Sequence, residues 1–204
     1  MSSSQHARPD HPIHDLLVRR WSPYAFSDKP VPAADLRSVF EAARWAASSY
    51  NEQPWRYIVA TKDDPAAFNR LLACLVEANQ EWAKDVPVLA IGCTHLKFSR
   101  NGKPNGVAIH DLGLASAQLT LEATARGLVV HQMAGILPDK VRLQYHVPED
   151  VQPLTALAIG YAADPANLPE KYRPRDTTPR SRNPLSSFVF GSDWGSPAPI
   201  VSGS

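Results

Sequence analysis

Two groups of basic side chains stand about 160 residues apart in this chain. Arg19, Arg20 and Ser22 lie near its start, and Arg180, Ser181 and Arg182 near its end. Each group offers guanidinium forks and a hydroxyl, the donors a phosphate dianion requires. Between them runs Ser48-Ser49-Tyr50-Asn51-Glu52-Gln53-Pro54-Trp55, a polar stretch suited to holding a flat polar ring. If the two ends meet in space, the chain binds a phosphorylated cofactor with both of its termini. Taken singly, each cluster also has a plainer reading, because cations suit the C-terminal dipole of a helix.

Other chemistries lack their residues. No Gly-x-Gly-x-x-Gly follows a strand, no Walker loop occurs, and no Gly-x-Ser-x-Gly elbow is present. His95, His110, His131 and His146 form no metal-ligand spacing, so no metal site is expected. Cys74 and Cys93 match no metal or redox spacing and sit in apolar segments, as buried free thiols do. Net charge is +1, from 21 basic against 20 acidic side chains, which gives no general drive toward nucleic acid or an anionic membrane. No run approaches the roughly 18 apolar residues of a membrane span. The first ten residues are polar, unlike a signal peptide, so a cytoplasmic location is expected. With 204 residues, 44% of them hydrophobic, the chain can build one domain around a real core.

The elements that must position these groups follow from periodicity and punctuation. His11-Pro12 predicts the start of a short helix that ends near Arg19 and delivers the first basic cluster. Leu36, Val39, Phe40, Ala43 and Ala47 recur at helical spacing over about 32–47. Trp55 to Ala60 reads as a strand. Asp64-Pro65 caps a helix carrying Leu71, Leu72, Leu75 and Val76 and running to about Asn79–Lys84. Val86 to Cys93 is a continuous apolar run, hence a central strand buried on both faces. Val107 to Arg126 is the strongest helix, closed by Gly127, and its small residues Gly113, Ala115, Ser116 and Ala117 fit a core or dimer seam. Leu128 to Val130 is a short strand, Pro138 to Tyr145 a short helix, and Leu154 to Ala162 the last buried strand. From Asp164 the chain is proline-rich and extended, ending in an apolar arm with Phe188, Phe190 and Trp194. Helices and strands interleave without strict alternation, which predicts an α+β fold, one sheet flanked by helices. Residues 1–10 are expected to be a flexible tail, 11–190 the domain, and 191–204 a C-terminal tail.

Several segments, in order, resemble the FMN-dependent nitroreductase family over about residues 12–190. Arg20-Trp21-Ser22-Pro23-Tyr24-Ala25-Phe26 is similar to its N-terminal phosphate and ribityl motif. Ser48-Ser49-x-Asn51-x-Gln53-Pro54-Trp55 is similar to its Ser-Ser-x-Asn-x-Gln-Pro-Trp segment, the most specific of the matches. Asn79 falls where the family often has a ring-binding Asn. Gln132-Met133-Ala134-Gly135-Ile136 resembles the loop whose backbone faces the flavin N5. Arg180-x-Arg182, followed by Pro184-Leu185-Ser186-Ser187-Phe188, resembles the C-terminal phosphate clamp.

The resemblance implies a nitroreductase-like fold with one mixed, mainly antiparallel sheet, and a homodimer with FMN at the subunit interface. Arg20, Ser22, Arg180 and Arg182 would hold the phosphate and ribityl chain from one subunit, and Arg19, Trp21, Tyr24, Asn79, Gln132, Met133, Ala134 and Gly135 join them as cofactor-binding candidates. Ser48, Ser49 and Asn51 would reach the same flavin from the other subunit. It further implies ping-pong reduction of nitroaromatics, quinones or similar electron-poor small molecules by NADH or NADPH. No catalytic side chain is assigned, because the cofactor carries the chemistry. Three positions depart from the family pattern. Tyr24 stands where Lys or Arg is usual, Trp82 where a second basic residue often occurs, and Ala134 where one branch has Glu. Two other readings stay open: a flavoprotein of this fold with another reaction (dehydrogenation, dehalogenation or enone reduction), and a non-catalytic flavin-binding module.

Overall fold

The structure, a computed structural model, describes residues 5–201. It holds one four-stranded sheet with helices on both faces. The strands are β1 (Trp55–Thr61), β2 (Val88–His95), β3 (Val129–Met133) and β4 (Val151–Gly160), in the order β1-β2-β4-β3. Every pairing is antiparallel, so the expected mixed component is absent from this sheet. β2 and β4 are central, which is why β2 is apolar without a break: all but its last residue are buried. Alternation along β2 divides the core. Val88 and Ala90 face one layer; Leu89, Ile91 and Cys93 face the other.

The first layer contains α2 (Ala33–Arg44) and α5 (Ala108–Ala125), with Val39, Ala43, Leu112, Ala115, Leu119 and Ala123 turned to the sheet. Alanines at the crossing let α2 approach α5 closely. α5 ends as expected, with Gly127 at φ 74°. Its outer face is open: Ile109 and Leu114 are exposed beside Gly113 and Ala117, with the polar His110 and Gln118 on the same side.

The second layer contains α3 (Pro65–Leu72), α4 (Glu77–Ala83) and α6 (Pro138–Tyr145). Periodicity predicted one helix where α3 and α4 stand. The break has a tertiary cause. Leu75 makes an isolated antiparallel bridge with Ile136. Val76 N–H donates to Gly135 O at 3.1 Å, and Leu137 N–H to Cys74 O at 2.8 Å. The chain gives up helical bonds there for bonds to the loop after β3. β3 also runs to Met133, beyond its expected end.

Toward both ends of the described residues the chain departs from the expected elements. The first helix, α1, spans Asp15–Arg19 and starts later than His11-Pro12 implied. His14 caps it, with Nδ1 accepting from Leu16 N–H at 3.1 Å, so Pro12 lies in the extended lead-in. Within the expected N-terminal tail, Gln5 is buried and Ala7 N–H donates to Val18 O at 2.9 Å; Met1–Ser4 lie outside the described residues. The proline-rich stretch after Asp164 contains a further short helix, α7 (Arg173–Thr177), that periodicity missed.

Candidate functional site

The first basic cluster follows α1, where the chain leaves helical geometry at Arg20. Arg19 and Arg20 then part. Arg19 Nε pairs with Asp15 at 2.5 Å on the exposed face of α1, one turn back, so it does not join the cluster predicted for it. Arg20 is partly buried and its Nη1 donates to Ser22 Oγ at 3.2 Å. Trp21, predicted to touch a cofactor, packs into the core instead, with its indole N–H buried and unpartnered among the described residues.

The two ends of the chain meet. Burial lowers the basicity of Arg20, and repulsion from Arg180 and Arg182 lowers it further. Burial and Arg182 lower Arg180 in the same way. Their bonds go to neutral groups: Arg180 Nη1 donates to Gln5 O at 3.0 Å and Val18 O at 3.2 Å, and Arg182 Nη1 to Ser181 O at 2.7 Å. Among the described residues none of the three pairs with a carboxylate. Three mutually repelling cations without an acid are a site for an anion with more than one charge. Beside them a cavity of about 790 Å³ opens between the N-terminal segment and the C-terminal arm, lined by His11, Ile13, Leu17, Arg180, Arg182 and Phe188.

The residue that brings the ends together is one that sequence reasoning missed. Asp176, on α7, is 2% exposed. Its Oδ1 accepts from Tyr24 N–H at 2.8 Å, and its Oδ2 from Tyr24 N–H at 3.0 Å and Ala25 N–H at 2.8 Å. Gln5 Nε2 donates to the Asp176 carbonyl. A lone acid in a run holding Lys171, Arg173, Arg175, Arg180 and Arg182 was the available signal.

Tyr24 lies in an aromatic cluster. Its ring stacks on Tyr172 at 5.5 Å and meets Trp82 at 5.0 Å and His131 at 4.6 Å edge-on. Arg175 Nη1 donates to its hydroxyl at 2.9 Å. A cation therefore stands beside the position where the sequence lacks one. His131 Nδ1 donates to Pro23 O at 2.8 Å, and burial holds the imidazole below its ordinary pKa.

The loop after β3 is held from behind. Asn79 Nδ2 donates to Gly135 O at 3.0 Å, so two residues singled out separately come together, with Asn79 braced against the loop. A Cβ on Gly135 would lie 2.6 Å from Asn79 Nδ2 and 2.7 Å from Val76 Cγ2, so glycine is required for this approach. The N–H groups of Ala134 and Gly135 donate to nothing among the described residues. The side chains just before them turn elsewhere. Met133 is buried in the core, and Gln132 Nε2 donates to Thr120 Oγ1 at 3.1 Å on α5. Strand alternation dictates this, so in place of these two side chains the loop offers backbone.

The Ser48–Pro54 loop is folded elsewhere. Ser48 Oγ accepts from Gln53 N–H at 2.9 Å, and Ser49 N–H donates to Asp111 Oδ2 of α5 at 3.1 Å. Tyr50, Asn51 and Gln53 are left-handed, at φ 53°, 56° and 51°. For Tyr50 and Gln53 this costs about 1 kcal/mol or more each, whereas Asn tolerates the region. No hydrogen bond or ion pair joins this loop to the arginine cluster among the described residues. One chain thus carries a basic cluster and a separate polar loop.

Comparison with known proteins agrees. The sequence model of the Nitroreductase family matches residues 17–161. A solved structure described as an oxidoreductase containing FMN is 31% identical, has a TM-score of 0.86, and covers 92% of this chain and 95% of its own. A nitroreductase family protein from Clostridium difficile 630 is 25% identical at a TM-score of 0.68, covering 87% and 96%. A Stenotrophomonas maltophilia protein, provisionally named an NADH dehydrogenase/NAD(P)H nitroreductase, is 29% identical over 162 residues, 71% of this chain and 81% of that protein.

Proposed function

Because the chain belongs to the nitroreductase family, and is on that ground an oxidoreductase, we propose that it binds FMN, accepts reducing equivalents from NADH or NADPH, and passes them to electron-poor small molecules such as nitroaromatics and quinones. The observation that carries this reading is the convergence of Arg20, Arg180 and Arg182 without a carboxylate among the described residues. Their charge suits the phosphate of FMN, with the Ser22 hydroxyl beside Arg20.

Bound FMN supplies the hydride chemistry. The chain supplies position. The unpaired N–H groups of Ala134 and Gly135 offer donors to the ring, and Gly135 lets the main chain come close. Asn79 and Val76 brace that loop through the Gly135 carbonyl. Tyr24, with the Arg175 guanidinium on its hydroxyl, keeps positive charge near the site where Lys or Arg is usual. That removes the one sequence feature favouring a non-catalytic flavin module. The open face of α5 supports a homodimer, in which Ser48, Ser49 and Asn51 of one copy complete the site of the other. Among the described residues, no helix is long and apolar enough to cross a membrane.

The test is the absorption spectrum of the purified protein, followed by anaerobic addition of each nicotinamide and then of a nitroaromatic or a quinone. The expected result is bound FMN, bleaching by one or both donors, and recovery of the oxidised spectrum with acceptor. A protein that neither carries nor takes up FMN overturns the reading.

A further inference from the structure

Resting on the flavoenzyme reading above, we propose that Tyr50, Phe98 and Arg100 form a specificity wall that favours a flat electron acceptor bearing an anionic group, such as an aromatic carboxylate.

Three observations carry this. Tyr50 is a large aromatic held in the open, 73% exposed, at the apex of a turn with left-handed residues at 50, 51 and 53. Phe98 meets it edge-on at 5.7 Å. Arg100 lies over both, with Cζ 4.1 Å from the Tyr50 ring and 5.4 Å from that of Phe98. An exposed cation–π contact is weak. It does not by itself offset the cost of holding Tyr50 and Gln53 left-handed, so the Arg100 contact is not what holds the turn.

The charge balance points to the ligand. Arg100 pairs with no carboxylate among the described residues, and Lys97 and Lys103 flank it on the same hairpin. The nearby Glu52 is committed, its carboxylate accepting Ser99 N–H at 2.8 Å and tying the hairpin to the strained turn. Stacking occupies a guanidinium face and leaves its N–H edge free for a carboxylate fork, while the rings offer a flat apolar surface. Tyr50 sits between Ser49 and Asn51, so the wall stands next to the loop assigned to the flavin of the other copy.

The test compares kcat/KM for 4-nitrobenzoate and for its neutral near-isostere 4-nitrobenzamide. The wild-type protein is expected to favour the anion, increasingly at low ionic strength. Arg100→Gln should cut that preference by about tenfold, the loss of one charge-assisted bond, and Arg100→Lys should restore part of it. The dissociation constant of benzoate, read by calorimetry on the FMN-loaded protein, should weaken by a similar factor, while FMN content stays unchanged. A 4-nitrobenzoate preference and a benzoate affinity both indifferent to Arg100→Gln overturn the proposal and leave the flavoenzyme reading intact. So does an effect confined to NADPH over NADH, which would place Arg100 on the donor. Failure to take up FMN overturns both.

Discussion

Asp176 accepts the backbone N–H of Tyr24 on both of its carboxylate oxygens, at 2.8 and 3.0 Å. Residues 152 positions apart are thereby fastened, and the fastening lies four residues before Arg180 and four after Arg20. Solvent is excluded from this carboxylate, which raises its pKa, while the Ala25 and Tyr24 N–H groups act against that rise. Removing the acid leaves buried N–H groups unmet, at about 1–3 kcal/mol. Asp176→Ala is therefore expected to lower stability in urea and to weaken FMN binding although it touches no phosphate. Asp176→Asn keeps an acceptor and should do less of both. Equal FMN affinity in the wild type and Asp176→Ala would show that the clamp does not depend on this tie.

The arginines should separate cleanly. Arg20→Ala and Arg182→Ala each remove a charge-assisted donor and should weaken FMN binding by about 1.5–3 kcal/mol. Arg19→Ala breaks only an exposed pair with Asp15 and should change it by less than about 0.5 kcal/mol. Flavin fluorescence quenching gives all three constants.

Gly135→Ala forces a methyl group against Val76 and Asn79. Overpacking of this kind costs about 1–3 kcal/mol. The loop can also relieve it by moving off α4, which would shift the two free N–H groups. A lowered Tm together with a changed visible spectrum of the bound FMN is expected; an unchanged Tm would mean the loop is not braced.

His131 links stability to pH. Its folded pKa lies below the ordinary 6.5, because burial disfavours the charged ring. The unfolded chain therefore binds the proton first as pH falls. Stability from this group is whole above the unfolded value and declines as pH drops through 6.5 toward the folded pKa, below which it changes no further. Urea unfolding of wild type and His131→Gln across that interval should show a smaller slope in the variant.

The outer face of α5 tests the assembly. Ile109→Glu places a charge on an exposed surface, 47% accessible at that residue, without disturbing the core. Light scattering should find a dimer for the wild type and a monomer for the variant. The monomer should also bind FMN less tightly, because Ser48, Ser49 and Asn51 of the other copy would be lost. A variant that stays dimeric would move the seam elsewhere.

Much of the fold was legible because it depends on local period. α6 occupies its expected residues, β2 shows the burial its unbroken apolar run implies, and Gly127 ends α5. The break between α3 and α4 was not legible. Leu71, Leu72, Leu75 and Val76 keep helical spacing across it, and only pairing with Ile136, some 60 residues on, outweighs that pattern. The same limit applies in the site. Met133 and Trp21 lie in matching motifs, yet strand alternation and packing turn them into the core.

Residue type and order were enough to single out the paired basic clusters, the Ser-Ser-x-Asn-x-Gln-Pro-Trp segment and the glycine of the ring-facing loop, since these are properties of single side chains at fixed spacing. The meeting of Arg20 with Arg180 and Arg182 and the arrival of Arg175 at Tyr24 were decided only by the folded chain. Each depends on Coulomb and hydrogen-bond terms that act over a few ångströms, and separation along the sequence carries no information about which groups will come that close.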